Sequence, residues 1–288
     1  MKPFLKWAGG KRWLVRRYPQ LFEVPFKRYI EPFVGSGAVF FHLEPECAII
    51  ADVNPSLINL YSAIRSNHKR VWAHLLEHAR NHNDQYYYDV RSKIFKSDAS
   101  RAAQFLYLNR TCWNGLYREN LRGEFNVPRG TKDTVIFDDD NFAAISELLA
   151  STIIKSGDFE LVLQSVKDRD FVFIDPPYTV KHNANGFVKY NESIFSWNDQ
   201  VRLASAVKEK VDSGASILVT NAYHPTVIDL YKDFAKVIPV GRASVLSGDK
   251  SYRGQTQEAL ILVGSAWKNI ALDEAVQRSA TFSTGPRK

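Results

Sequence analysis

A chain of 288 residues with 45% hydrophobic content can bury a core larger than one minimal domain, and a formal charge of +7 suits a polyanionic partner. Its two cysteines, Cys47 and Cys112, stand far apart in no metal spacing, which speaks against a disulfide framework and a zinc ribbon and fits a reducing cytoplasm. No stretch reaches the roughly 18 apolar residues of a membrane span, and the opening "MKPFLKWAGGKRW" has no apolar core followed by small residues, so neither export nor membrane insertion is expected.

In chain order, "FLKWAGGKRW" comes first. Its Trp7, its Gly-Gly pair and the flanking Lys6 and Lys11 can lay a ring and a backbone cradle against a purine or carboxylate; a terminal segment docked by Trp7 explains the same residues equally well. A strand is then expected to end near Glu31 in "YIEPFVGSGAVFFHL", followed by a tight turn and a helix. Gly35 and Gly37 allow backbone to approach a ligand at a helix N-terminus, as in nucleotide sites. The next strand, residues 47–53 ("CAIIADV"), brings Asp52 to its end, 17 residues after Gly35, where an acid can take ribose hydroxyls. Taken alone, this pair also fits a nicotinamide-cofactor enzyme or an ordinary strand-turn-helix.

From Leu57 to about Asn81 the apolar residues fall at 57, 60, 61, 64, then 71, 72, 75, 76 and 79, which is helical periodicity. No buried-strand run follows until about Thr152, so residues 57–149 are expected to form an inserted, mainly helical domain. His74, His78 and His82 repeat at i, i+4, i+8, but no carboxylate-rich or thiol partner completes a metal site; a solvated helix face is expected and no metal is assigned. Residues 106–130, "LYLNRTCWNGLYRENLRGEFNVPRG", interleave arginines with aromatics, and the Asn-Gly and Arg-Gly pairs suggest turns in an extended surface element.

Further strands are expected at residues 152–155, 170–174, 215–220 and 259–263, several too apolar to expose a polar face. Between them Val201, Ala204, Val207 and Val211 form a helical pattern, opened by the capping-box spacing Ser196-x-x-Asp199 and closed by Gly214. Strands alternating with helices predict a doubly wound α/β sheet of parallel type, built from residues 1–56 and 150–265. Lys250 and Arg253 sit in a Gly-rich loop between two expected strands, either as phosphate contacts or as an exposed basic hairpin, and residues 266–288 read as a C-terminal tail.

The strand at 170–174 runs straight into Asp175-Pro176-Pro177-Tyr178. Two prolines cannot extend a ladder, since neither donates an N–H, so the chain must turn there and leave Asp175 and Tyr178 at an open strand end. A carboxylate and a fixed backbone carbonyl, both accepting from one NH2, can hold an aromatic amino nitrogen pyramidal and nucleophilic while the tyrosine stacks on its ring. A mere strand terminator needs neither the Asp nor the Tyr.

The succession "FLKWAGGK", "EPFVGSGAVF", "ADVNP", "LYLNRxxxNGLYRxNxxGEFNVPxG" and "DPPY", in this order, resembles the Dam-type DNA adenine-N6 methyltransferases, to about Gly264. The resemblance implies a Rossmann-like sheet that binds S-adenosyl-L-methionine, acts on double-stranded DNA and carries a recognition domain between the cofactor glycines and the catalytic tetrapeptide. It implies that Trp7, Ala8, Gly9, Lys11, Phe33, Gly35 and Gly37 line the cofactor pocket, that Asp52 holds the ribose, and that Asp158 and Phe159 meet the cofactor's adenine. Asp175, Pro176, Pro177 and Tyr178 become the catalytic turn, Asp175 also bordering the cofactor. For DNA it implies Asn109, Arg110, Trp113, Asn114, Leu116 and Arg118, with Trp113 a wedge and Arg118 a guanine reader, together with Asn126 and Pro128; Arg122 and Arg129 are assigned to phosphates. The expected reaction is direct transfer to N6 of a flipped adenine, with GATC as the expected target and no obligate protein partner.

Three departures from the pattern stand out: Thr111-Cys112-Trp113 in place of a Tyr-Gly-Tyr run, Arg129 in place of a usually apolar residue, and "TVKHNANGF" after Tyr178. The rival readings are cytosine-N4 methylation, which Asp175 disfavours, a catalytically silent DNA-binding relative, which the intact glycines, Asp52 and Asp175 disfavour, and, more weakly, an RNA substrate. Restriction-modification, phage and housekeeping settings are all compatible with the sequence.

Overall fold

The computed structural model describes residues 1–120, 123–180, 195–243 and 255–267. Arg122, Lys250, Arg253, most of "TVKHNANGF" and residues 268–288 lie outside the described residues. Its strands are β1 (Arg28–Glu31), β2 (Ala48–Asp52), β3 (Thr152–Ser156), β4 (Asp170–Ile174), β5 (Ser216–Ala222), β6 (Lys236–Ala243) and β7 (Gln255–Val263). The described helices are α1 (Arg12–Arg17), α2 (Phe40–Leu43), α3 (Pro55–Asn81), α4 (Asp84–Ser92), α5 (Asp98–Thr111), α6 (Phe142–Ala150), α7 (Phe159–Leu163), α8 (Trp197–Lys208) and α9 (Pro225–Tyr231). The strands form a seven-stranded sheet in the order β3-β2-β1-β4-β5-β7-β6. Among the described residues, no helix is long and apolar enough to cross a membrane.

Every residue of β2 and of β4 is buried, as their unbroken apolar runs require. The pairs β2–β3, β1–β4 and β4–β5 are parallel. The expectation of a parallel sheet fails at the far edge, where β7 runs antiparallel to both β5 and β6. Only 11 residues, 244–254, separate β6 from β7, fewer than the dozen or more that a parallel crossover needs, so these two pair antiparallel.

The chain divides into two compact units, Met1–Arg17 with Val34–Asp158, and Tyr18–Phe33 with Phe159–Lys288. These boundaries differ from the expected 56/57 and 149/150, and α3 supplies the reason. It starts two residues after β2 and packs on β2, β3, α5 and α6, so the glycine turn, Asp52 and the inserted helices consolidate together. Asn54 caps it by accepting from the N–H groups of Ser56 and Leu57, with Pro55 at its first position. The backbone leaves the helix at Asn67 (φ −156°, ψ 62°), within the gap between the two halves of the apolar pattern, and Asn67 Oδ1 accepts from Arg70 N at 3.2 Å to restart it.

The solvated histidine face is corrected as well. His78 is buried, stacked on Tyr107 at 4.9 Å, with Nδ1 2.9 Å from the Tyr86 hydroxyl. Burial holds its pKa down to about 4. It belongs to the same stripe as Val71 and Leu75, which the spacing 71, 75, 78 already contains.

Two further expectations change at element ends. Residues 106–111, read as extended, complete α5: Ser97 caps it, neither Gly nor Pro interrupts it, and Leu106–Thr111 are all buried. On α8 both arms of the Ser196/Asp199 capping box form, but the helix stops at Lys208. Gly214 (φ +78°) instead shapes the turn into β5, where its carbonyl accepts from Arg169 N at 3.3 Å and a Cβ would strike Asp168.

Candidate active site and nucleic-acid interface

In the first unit the turn after β1's motif is locked from three sides. Asp52, only 9% exposed, accepts from Gly35 N at 3.1 Å through one oxygen and from Asn54 N at 3.0 Å through the other. Tyr61 on α3 donates its hydroxyl to the Gly35 carbonyl at 3.0 Å. Gly35 has φ +46°, and a Cβ there would lie 2.6 Å from the Trp7 indole, so only glycine lets the ring cover the turn. Burial raises the Asp52 pKa, and the N–H donors of Asn54, Gly35 and Val53 work against that rise. Gly157 N donates to the Asp52 carbonyl at 3.1 Å, which brings the half-exposed Asp158 to the same strand ends as Asp52. Lys11 is buried and donates from Nζ to the Gly9 carbonyl at 2.8 Å, closing the Gly-Gly loop, while Ala8 is exposed.

In the second unit β4 ends in the Pro-Pro turn, and the turn is held by side chains that the sequence did not single out. Thr220 on β5 donates to Asp175 Oδ1 at 2.7 Å. Gln200 on α8 donates to the Pro177 carbonyl at 3.0 Å, and its own oxygen accepts from Asn221 Nδ2 at 2.8 Å. The Tyr178 hydroxyl donates to the buried Glu258 of β7 at 2.8 Å. Burial first, then the charges of Asp175 and Glu258, push the tyrosine pKa up. The only sequence signals for these partners are polar residues inside apolar runs, Thr220 and Asn221 in "ILVTNA" and Glu258 before "ALILV". In the same unit Phe33 stacks on Phe159 at 5.5 Å, with Phe195 edge-on at 5.6 Å, an apolar wall beside which Arg202 lies 5.0 Å from the Phe159 ring.

The DNA residues separate into surface and interior. Trp113 is 52% exposed, and Asn114, Arg118 and Pro128 are exposed around it, with Leu116 and Asn126 half-buried. Asn114 (φ +55°) and Gly115 (φ +64°) make the tight bend there, and bridges Cys112↔Arg129 and Glu119↔Phe125 close an antiparallel hairpin. Arg118 Nε donates to Asn126 Oδ1 at 2.9 Å across it. Trp7 stacks on Tyr117 of this hairpin at 5.6 Å. Arg110 does not reach the surface: it is fully buried, bound to both oxygens of Asp140 at 2.6 Å, to the Phe4 carbonyl at 2.7 Å and to the Val135 carbonyl at 2.8 Å. Asn109, also fully buried, accepts from Lys6 N at 2.9 Å and donates to Lys6 O at 2.7 Å, so it pins the N-terminal segment. Both expectations of DNA contact are corrected to interior roles. Arg129 is engaged by Asp84 at 2.8 Å and by Asp133, which occupies the guanidinium assigned to a phosphate.

Residues 7–245 match the family described as D12 class N6 adenine-specific DNA methyltransferase. The chain is 37% identical over 270 residues to the Type II methyltransferase M1.LlaDCHI of Lactococcus lactis subsp. cremoris, covering 91% of this chain and 95% of that protein. It is 37% identical over 278 residues to the Type II methyltransferase M.MjaIII of Methanocaldococcus jannaschii, covering 88% and 96%. It is 31% identical over 273 residues to the DNA adenine methylase of Haemophilus influenzae, covering 92% and 94%.

Proposed function

Since the chain belongs to the D12 class N6 adenine-specific DNA methyltransferases, we propose that it methylates adenine N6 in GATC with S-adenosyl-L-methionine, after flipping that adenine out of double-stranded DNA. The observation that carries this reading is the Pro-Pro turn: Asp175 with its carboxylate aimed by Thr220, and Pro177 with its carbonyl taken by Gln200. In this reading Asp175 and the Pro176 carbonyl accept the two N6 hydrogens, which pulls the nitrogen lone pair out of the ring. Tyr178 supplies the face on which the target base stacks. The transfer is direct and in line, with no covalent enzyme intermediate, and a stacked base cannot reach such a turn.

The residues present fit the methyl donor. Gly35 and Gly37 hold positive φ at buried positions where a Cβ would meet Trp7, Phe41 or Tyr61, so glycine keeps the turn tight at the place assigned to the donor. Asp52 accepts from Gly35 N and Asn54 N through separate oxygens at the end of β2, and in this reading the same carboxylate meets the ribose hydroxyls. Asp158 takes the adenine amino group, Phe33 and Phe159 give the ring an apolar wall, and Trp7, Ala8, Gly9 and Lys11 hold the remainder. When bound, the donor supplies an electrophilic methyl group on a sulfonium sulfur.

Residues 57–149 form the recognition part. Trp113 is the wedge that enters the stack, and Arg118 reads a guanine through O6 and N7, a contact worth about 1–3 kcal/mol of discrimination. GATC rests on the likeness of Asn114, Leu116 and Arg118 to the Dam-type hairpin. The test is plasmid treated with enzyme and donor, then digested by a nuclease that adenine methylation in GATC blocks. Protection supports the assignment; cleavage despite methyl incorporation elsewhere refutes it.

A further inference from the structure

We infer that Gln200, held by Asn221, is a positioning residue for methyl transfer: a buried amide relay that fixes the catalytic turn through the Pro177 carbonyl. The inference rests on the reading of the Pro-Pro turn as the reacting centre. The turn has an unusual mechanical problem. Pro176 and Pro177 have no N–H, so two successive residues offer nothing by which a ladder or a cap can grip them. What remains is carbonyl oxygen, and an oxygen is gripped only by a donor brought from elsewhere in the fold.

The relay meets this need with every orientation determined. Asn221 Oδ1 accepts from Ala222 N at 2.8 Å, so its Nδ2 must point the other way, where it donates to Gln200 Oε1. That fixes the Gln200 amide in turn and aims Nε2 at Pro177, 3.0 Å away. Flipping either amide would set two oxygens or two N–H groups against each other. Gln200 and Asn221 are both fully buried, so water cannot substitute for a lost partner. The two residues come from different elements, the capped helix α8 and the strand β5 that is parallel to β4. Neighbouring Thr220 orients Asp175 from the same strand end. The relay therefore ties the carbonyl side of the turn to the strand that also aims its carboxylate.

Gln200→Met keeps length and bulk and removes the donor. The expected result is a single-turnover methylation rate reduced about 10- to 100-fold, the scale of a displacement near 1 Å at a reacting centre, with dissociation constants for S-adenosyl-L-methionine and DNA within about twofold of the wild type. Asn221→Asp keeps volume and puts an acceptor where Gln200 expects a donor, so it should turn the Gln200 amide and lower the rate in the same direction. The double variant should be no slower than Gln200→Met, because both changes break one relay. A wild-type rate in Gln200→Met, or equal losses of binding and rate in both single variants, overturns the inference. If Gln200→Met does not fold, Asn221→Asp decides: a slowed transfer step with intact binding supports the relay, and an unchanged rate overturns it. Wild-type protein that transfers no methyl to adenine would instead refute the reading of the Pro-Pro turn.

Discussion

Replacing Arg110 by methionine should cost fold stability and leave DNA recognition chemistry untouched. Arg110 and Asp140 are 0% and 3% exposed at their side chains, and the guanidinium also satisfies the carbonyls of Phe4 and Val135 and lies 4.1 Å from the Phe137 ring. Met fills the volume but strands the Asp140 carboxylate, which accepts also from Phe137 N at 2.8 Å, in a dry site. Breaking a buried pair by removing one partner costs about 3–5 kcal/mol. At about 2–4 °C per kcal/mol for a chain of this size class, the melting temperature should fall by about 6–20 °C. Asp140→Ala should lose a similar amount, although a carboxylate has no place on a phosphate. Urea unfolding followed by far-UV circular dichroism measures both, and the salt dependence of DNA binding is taken on the folded protein. An unchanged melting temperature, combined with a log–log salt slope lowered by about one, would show that Arg110 touches a phosphate and that its burial is misread.

Asp175→Ala should abolish methyl transfer while DNA affinity stays; if wild-type protein also transfers nothing, the chain is a binder. Trp113→Ala should fold normally, since the ring is 52% exposed, and should lose less activity on a target adenine in a mismatch, which is already easier to flip; an equal loss on paired and mismatched targets rejects the wedge. His78 has its folded pKa lowered by burial to about 4 from an ordinary value of 6.5, so the unfolded chain binds the extra proton between those values. Its stabilising effect is therefore complete above pH ~6.5 and is lost as pH falls towards 4, and between pH 7 and 5 wild type should lose about 2 kcal/mol more than His78→Phe. Parallel urea stabilities of the two proteins across that range would contradict this.

Local rules made much of this protein legible from its residues. Apolar runs marked β2, β4 and β5, the Ser196/Asp199 spacing marked the start of α8, and Gly35 with Asp52 marked one turn, because each is decided within a few residues by sterics, capping or burial. The Pro-Pro turn was readable for the same reason, as two missing N–H groups are a property of the sequence alone. The buried fate of Arg110 and Asn109 was not, because helical spacing places them on α5 without saying which side the N-terminal segment and Asp140 will cover. Nor could spacing reveal that Gln200, Asn221, Thr220 and Glu258 hold the Pro-Pro turn. They stand 21 to 80 residues from the groups they hold, and the packing of α8, β5 and β7 around the end of β4 is what brings a donor to the Pro177 carbonyl and to Asp175.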